Sequence, residues 1–165
     1  MEKSNIILIG MPGSGKSTIG VVLAKKTSRN FIDTDVLIQT AERRSLQTII
    51  DSEGYMELRR IEENTLLELK LTNHVISTGG SAAYSDAAMN HLKSSGVAVF
   101  LHVQLTTLLE RVHDFETRGL AKRPDQTFED LFYERFALYK KYADVIVDNS
   151  YLTLEEACET IIRCI

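Results

Sequence analysis

The sequence predicts a three-layer α/β/α fold, in which helices cover both faces of a five-stranded parallel sheet. Short apolar runs alternate with segments of helical periodicity along the chain, and this alternation is typical of parallel sheets. The first run, Ile6–Ile9, is continuously apolar and ends at Gly10, as expected for a strand buried on both faces. Because 165 residues suit one domain of ordinary size, we expect a single domain over 1–165.

The elements of the first half follow from apolar spacing. Residues 15–28 carry Ile19, Val22 and Leu23 at helical intervals, and Phe31–Ile32 is a short strand closed by Asp33. We expect one or two short helices over residues 35–52. A broad apolar stripe predicts a long helix over residues 56–71. His74–Ser77 predicts the third strand, which ends at Thr78-Gly79-Gly80.

The second half continues the alternation. It predicts a helix over 84–93, a strand over 97–103, helices over 105–113 and 127–142, a strand over 145–147 and a helix over 153–163. Thr153 and Glu156 match the capping-box pattern at the start of the last helix. The polar segment 114–126 carries Gly119 and Pro124, which predicts a mobile loop.

Composition excludes several classes of function. The chain has 44% hydrophobic and 25% charged residues and a net charge of −4, which disfavours a nonspecific nucleic-acid binder or a protein of anionic membranes. Its two cysteines and four histidines show no metal-ligand spacing. No apolar stretch approaches the ~20 residues of a membrane span, and Met1–Asn5 lacks the pattern of a signal peptide. We therefore expect a cytoplasmic protein, and a monomer by default.

A phosphate-binding loop follows the first strand. Residues 10–17, Gly-Met-Pro-Gly-Ser-Gly-Lys-Ser, match G-x-x-x-x-G-K-[ST] between a strand and a helix. The loop turns backbone N–H groups toward phosphate oxygens, and the helix adds its positive end. Lys16 supplies charge for the β- and γ-phosphates, and Ser17 offers a hydroxyl to Mg²⁺. We expect ATP contacts from Gly10, Gly13, Ser14, Gly15, Lys16, Ser17 and Thr18.

Two carboxylates after the second strand indicate the reaction class. Asp33 lies where a carboxylate can hold Mg²⁺, and Asp35 can orient an acceptor hydroxyl or accept its proton. The chain has no N-K-x-D guanine reader, and the run 97–103 has no acid within it or directly after it. These observations favour a small-molecule kinase over a GTPase, motor or transporter.

At this point the sequence resembles the shikimate kinase family. The resemblance spans nearly the whole chain. It rests on the phosphate loop, Phe31-Ile32-Asp33-Thr34-Asp35, Gly54, Leu58-Arg59, Glu62, Ser77-Thr78-Gly79-Gly80, Arg123-Pro124, Arg135, Tyr139 and Ala143-Asp144. It implies a phosphate-loop kinase fold related to nucleoside monophosphate kinases, with an acceptor-binding segment at about 34–62 and a lid at about 114–126. The implied reaction converts shikimate to shikimate 3-phosphate with ATP and Mg²⁺, in aromatic amino-acid biosynthesis.

The resemblance also implies a role for each matching residue. Lys16, Asp35 and Arg123 would be catalytic, with Arg123 on the lid reaching the phosphates. Ser17 and Asp33 would belong to the magnesium shell, and Arg111 would lie against adenine. The acceptor would be bound by Asp35, Arg59, Gly79, Gly80 and Arg135, with Glu62 orienting Arg59. The paired guanidinium groups of Arg59 and Arg135 suit a carboxylate. In the lid, Arg118 and Lys122 are alternatives to Arg123 for contact with the phosphates.

The departures from the family pattern cluster near the acceptor and the lid. Ser81 stands where a third glycine is usual, Tyr55 replaces the usual Glu, and Leu58 replaces the usual Phe. Asp125-Gln126 replaces an apolar pair, and the lid looks longer, with its own Arg118-Gly119. The sequence therefore leaves open another small hydroxy acceptor, such as gluconate or a nucleoside monophosphate. A nucleotide-binding regulatory protein without transfer is a further alternative.

Overall fold

The computed structural model describes residues 3–115 and 117–165. Met1 and Glu2, in the segment tested for a signal peptide, and Glu116, in the predicted lid, lie outside the described residues. Five parallel strands form one sheet: β1 (Asn5–Ile9), β2 (Asn30–Asp33), β3 (His74–Ser77), β4 (Gly96–His102) and β5 (Val145–Asp148). Their order across the sheet is β2-β3-β1-β4-β5. The predicted three-layer class is confirmed.

The helices match the predicted ones to within a few residues at each end. They are α1 (Lys16–Thr27), α2 (Thr34–Glu42), α3 (Leu46–Glu53), α4 (Tyr55–Glu68), α5 (Asp86–Ser95), α6 (Leu105–Arg111), α7 (Phe128–Tyr142) and α8 (Leu154–Cys164). A 3₁₀ turn at Ala82–Tyr84 precedes α5. The capping box of Thr153 and Glu156 is present, and Thr127 forms a second one with Asp130 at the start of α7. No helix in the described part of the chain is both long and apolar enough to cross a membrane.

The core lies on both faces of the sheet because successive strand side chains point to opposite sides. Ile7 and Ile9 belong to one buried cluster, whereas Ile6 and Leu8 belong to the other. A third, smaller cluster joins α2, α3 and α4 through Ile38, Ile49, Leu58 and Ala121. Ala121 comes from the predicted lid, so the second half of this segment is packed onto the predicted acceptor-binding segment.

The sheet topology fixes where a ligand can bind. From β1 the chain crosses to β2 on one side, whereas β4 lies on the other side of β1. Ligands of such sheets bind beyond the carboxyl ends of the strands, at the point where the direction of crossing reverses. The loop after β1 and the Thr78-Gly79-Gly80 segment after β3 both lie at this edge.

Candidate active site

The phosphate loop contains three glycines with positive φ, a conformation that residues with a Cβ rarely adopt. Gly10, Gly13 and Gly15 have φ values of 149°, 83° and 95°. A Cβ at Gly10 would lie 2.7 Å from the Leu101 carbonyl oxygen, and one at Gly13 would overlap Val112. The loop is therefore pressed against β4 and the end of α6, and glycine permits both the turn and the contact.

Lys16 lies at the start of α1, almost fully buried. Its Nζ donates to the carbonyl oxygens of Gly10 and Met11, at 2.8 and 2.9 Å. Burial lowers the pKa of Lys16 to about 8, while the nearby charge of Asp35 acts in the opposite direction. The ammonium group is thus held inside the loop, next to where phosphate oxygens would lie.

Ser17 and Asp33 meet at the predicted metal position. Ser17 Oγ donates to Asp33 Oδ2 at 2.5 Å, and Asp33 Oδ1 accepts from the backbone N–H groups of Asp35 and Val36. Hydroxyl and carboxylate oxygens are the hard donors that Mg²⁺ prefers, so the pair fits this ion. Within 3–115 and 117–165, no three His, Cys, Asp or Glu side chains are grouped to hold a metal. Most ligands of a bound Mg²⁺ would therefore have to come from phosphate and water.

Asp35 and Glu62 converge on Gly79. A Cβ at Gly79 would lie 2.6 Å from Asp35 Oδ1 and would overlap the Glu62 carboxylate. Burial, and then the charge of Asp33, raise the pKa of Asp35. Burial also raises the pKa of Glu62 to about 7. Two carboxyl groups with raised pKa values therefore line one small space beside Lys16, and such groups are candidates for proton transfer.

The two predicted acceptor arginines meet at one lid oxygen. Arg59 Nη2 and Arg135 Nη2 donate to the carbonyl oxygen of Ala121, at 3.1 and 3.0 Å. Arg135 is fully buried on α7 and lines a cavity of about 370 Å³ with Lys16, Asp35 and Gly80. Arg59 lines a neighbouring cavity of about 870 Å³, which shares Glu62 and Ser81 with the first. The Ala121 oxygen therefore joins Arg59 to Arg135, which lines the cavity of the phosphate loop.

Unsatisfied donors and acceptors collect in this region. The described part of the chain has five buried side-chain atoms without a hydrogen-bond partner: Ser14 Oγ, Arg59 Nε, Glu62 Oε1, His102 Nδ1 and Arg135 Nε. All but the histidine atom belong to predicted site residues. Buried polar atoms are normally paired, so orphans of this kind indicate where a polar ligand binds.

Comparison with known proteins identifies the family. A family model described as shikimate kinase matches residues 12–165. A shikimate kinase of Clostridium botulinum is 37% identical over 163 residues, covering 96% of this chain and 94% of the relative. The chain belongs to the shikimate kinase family.

Solved structures of shikimate kinases have the same architecture. The Aquifex aeolicus shikimate kinase has a TM-score of 0.82 at 36% identity, covering 97% of this chain and 95% of that one. The Acinetobacter baumannii shikimate kinase, described as a complex with shikimate, has a TM-score of 0.89 at 28% identity over 97% of this chain and 91% of that one. The predicted phosphate-loop kinase fold is confirmed.

Two arginines of the predicted lid have different surroundings. Arg118, not Arg123, lines the cavity with the phosphate loop. Arg123 is half-exposed, and its Nη1 pairs with Glu134 at 3.1 Å. Arg118 also pairs through its Nε with Asp114 at 2.9 Å. Gly119 packs on Leu46 with φ 69°, and its N–H donates to Gln47 Oε1 at 2.9 Å. The assignment of the phosphate-binding role to Arg123 stays a prediction.

Glu62 accepts its described hydrogen bond from a serine of this shikimate kinase family member. Among the described residues, the side chain that pairs with Glu62 is Ser81, whose Oγ donates to Glu62 Oε2. No ion pair joins Glu62 to Arg59. The departure at position 81, where the family usually has glycine, supplies a hydroxyl that binds one carboxylate oxygen, while Glu62 Oε1 has no partner among the described residues. The orienting role of Glu62 stays a prediction.

Arg111 and Asn149 lie at the open end of the phosphate loop. Arg111 Nη2 donates to the carbonyl oxygens of Asn149 and Ser150, at 3.1 and 2.9 Å. The buried Asn149 Nδ2 donates to the Ser14 carbonyl oxygen at 2.8 Å. Sequence reasoning missed Asn149, although its position directly after β5, at the carboxyl edge of the sheet, was a usable signal.

Tyr139 is more than a packing residue. Its hydroxyl donates to the Gly80 carbonyl oxygen at 2.6 Å, and a Cβ at Gly80 would overlap Arg135. Tyr139 and Arg135 both lie on α7, four residues apart. Helix α7 therefore fixes the backbone at Gly80 and the guanidinium of Arg135 together.

Proposed function

We propose that this chain transfers the γ-phosphoryl group of ATP to the 3-hydroxyl of shikimate. The observation that carries the proposal is the placement of Arg135, Asp35 and the phosphate loop around one cavity, with Arg59 joined to it through Ala121. A carboxylate on the arginines and a hydroxyl at Asp35 would set a small hydroxy acid beside the transferred phosphate. Family membership supports shikimate as that acid.

The reaction follows from this arrangement. Asp35 orients the acceptor hydroxyl and accepts its proton, the oxygen forms a bond to the γ-phosphorus, and the bond to the bridging oxygen of ADP breaks. Lys16 and, once the lid closes, Arg123 neutralise charge on the phosphate oxygens, and the lid excludes water. Mg²⁺, when bound near Ser17 and Asp33, adds positive charge to the same oxygens. Most of the acceleration comes from positioning and charge neutralisation.

Other parts of the proposal rest on the sequence. Arg111 is placed against adenine, and Gly79 and Gly80 present backbone to the acceptor ring. A metal requirement, cytoplasmic location and a monomeric state remain predictions. So does the absence of nucleic-acid and membrane partners.

The test is an assay of ADP release with ATP, Mg²⁺ and a panel of acceptors. ADP release that depends on shikimate, with the product shown by phosphorus NMR to carry phosphate at the 3-position, is the expected result. A response to gluconate or a nucleoside monophosphate but none to shikimate would replace the acceptor. Tight ATP binding without turnover on any acceptor would favour a regulatory role.

A further inference from the structure

The guanidinium carbon of Arg59 lies over an aromatic ring that the family pattern did not single out. Its Cζ is 3.6 Å from the centroid of the Tyr84 ring, whereas the Tyr55 ring is at 5.2 Å. At 3.6 Å the guanidinium carbon is in contact with the ring face, which attracts a cation. Tyr84 ends the 3₁₀ turn that follows the Gly79-Gly80 segment. The turn therefore brings a ring underneath an acceptor-binding side chain.

The ring of Tyr84 is itself held in place. Its hydroxyl donates to Glu134 Oε1 on α7. Glu134 also accepts from Arg123 Nη1 and Gln126 Nε2, both at 3.1 Å. The Tyr84 hydroxyl and Arg123 hold the pKa of Glu134 below its usual range, so it remains a charged acceptor near neutral pH. The ring orientation is thus fixed from outside the acceptor cavity.

One oxygen of the carboxylate expected to orient Arg59 binds a serine, and no described ion pair joins this carboxylate to Arg59. Ser81, which lies three residues before Tyr84, donates a hydrogen bond from its Oγ to Glu62 Oε2. A long arginine side chain without an ion-pair partner loses more conformational freedom when it binds a ligand than one held in advance. In this chain the contact with Tyr84 can supply that restraint.

Contact with the ring also leaves the useful donors free. An aromatic ring contacts the face of a guanidinium group, whereas the N–H donors of that group point outward in its plane. In that plane Arg59 Nη2 reaches the Ala121 oxygen, and the buried Nε has no partner. A carboxylate takes two parallel N–H groups from such an edge. The contact with Tyr84 is therefore compatible with carboxylate binding by Arg59.

We propose that Tyr84 is a positioning residue for acceptor recognition, which fixes the plane of the Arg59 guanidinium so that its in-plane N–H groups meet the acceptor carboxylate. This inference rests on the proposed function. A cation–π contact of this kind supports a roughly 3- to 30-fold effect on acceptor affinity. The loss is expected in acceptor binding, since Tyr84 touches neither the phosphate loop nor Asp35 in the described contacts.

The experiment compares the full-length chain with Tyr84→Phe and Tyr84→Met, and uses Tyr133→Met, at an exposed tyrosine of α7, as a matched control. ADP release is measured against shikimate and against shikimate methyl ester, which lacks the charge. We expect Tyr84→Met to raise the KM for shikimate roughly 3- to 30-fold, with kcat and the KM for ATP unchanged. Tyr84→Phe keeps the ring and most of the affinity, and the methyl ester shows little difference between variants.

A second series keeps the shape of the ring and guards against misfolding of the methionine variant. Phenylalanines with one to five ring fluorines at position 84 weaken the negative face stepwise, so the KM for shikimate should rise with fluorine number. A KM for shikimate that does not change with fluorine number would refute the role of Tyr84. So would an equal increase in the KM for the methyl ester. If the wild-type chain turns over shikimate and the variants match it, only this inference fails. If the wild-type chain ignores shikimate, the proposed function fails as well.

Discussion

Replacing Asp35 by asparagine separates the chemical step from nucleotide binding. Asp35 lies beside Gly79 and Lys16, and its pKa is raised by burial and by Asp33. A positioned base of this kind contributes roughly 10²- to 10⁴-fold, so kcat should fall by that factor, or about 3–5 kcal/mol at ~1.36 kcal/mol per tenfold. The side chain keeps its size, so ATP should still bind at pH 6.5.

The same substitution carries an electrostatic signature. Asp35 is the nearby charge that most raises the pKa of Lys16, which burial otherwise lowers to about 8. Without that carboxylate the pKa of Lys16 falls further. Lys16 therefore loses its charge at a lower pH, and the alkaline limb of kcat/KM for ATP moves toward neutral pH.

The assay is ADP release under saturating acceptor, measured across pH 5.5 to 9.5, together with ATP affinity by calorimetry. Glu159→Gln, on the outer face of α8, is the control and should match the wild type. Turnover near the wild-type rate would refute proton transfer to Asp35. An alkaline limb that stays in place would refute its coupling to Lys16.

Three further predictions follow from the site. Arg123→Ala should lower kcat at least ~100-fold in steady-state assays, whereas Arg118→Ala should change it only a few fold; the reverse ranking would assign the phosphate-binding role to Arg118. The pKa of Glu62 is raised from 4.5 to about 7 on folding, so its contribution to stability is complete below pH 4.5 and is lost as pH rises through 7. Urea unfolding at pH 5 and 8 should differ by up to roughly 3 kcal/mol from this group, and Glu62→Gln should remove the difference. Asn149→Ala removes the hydrogen bond to the Ser14 carbonyl oxygen and should raise the KM for ATP about tenfold without changing the KM for shikimate. Equal changes in both KM values would contradict a role of this hydrogen bond in ATP binding.

The sequence predicted those parts of the site that are encoded by consecutive residues. The phosphate loop is complete within residues 10–17, and Asp33 and Asp35 follow a strand whose end must lie at the same edge of the sheet. Local spacing sufficed for these because the strand–loop–helix geometry determines where each side chain goes. The order of strands and helices could be predicted for the same reason.

Contacts between distant segments could not be predicted in this way. Gly119 packs on α3, about 70 residues earlier in the chain, and no local pattern encodes that contact. The pairing of Glu62 with Ser81 and the hydrogen bond from Asn149 to Ser14 likewise depend on which segments the fold brings together. The departure at Ser81 was visible in the sequence, but its hydrogen bond to Glu62 was not.

The carbonyl oxygen of Ala121 has a consequence for how tightly any acceptor binds. This one lid oxygen accepts hydrogen bonds from both Arg59 and Arg135, the side chains proposed to hold a carboxylate. An incoming acid therefore competes with the protein's own backbone, and its measured affinity is the difference between two sets of hydrogen bonds. A chain with lid residues 118–122 replaced by a short glycine linker would lose turnover and yet bind the free acid more tightly. Ligands designed for this site gain most affinity if they displace the Ala121 oxygen from the two arginines and donate a hydrogen bond to it themselves.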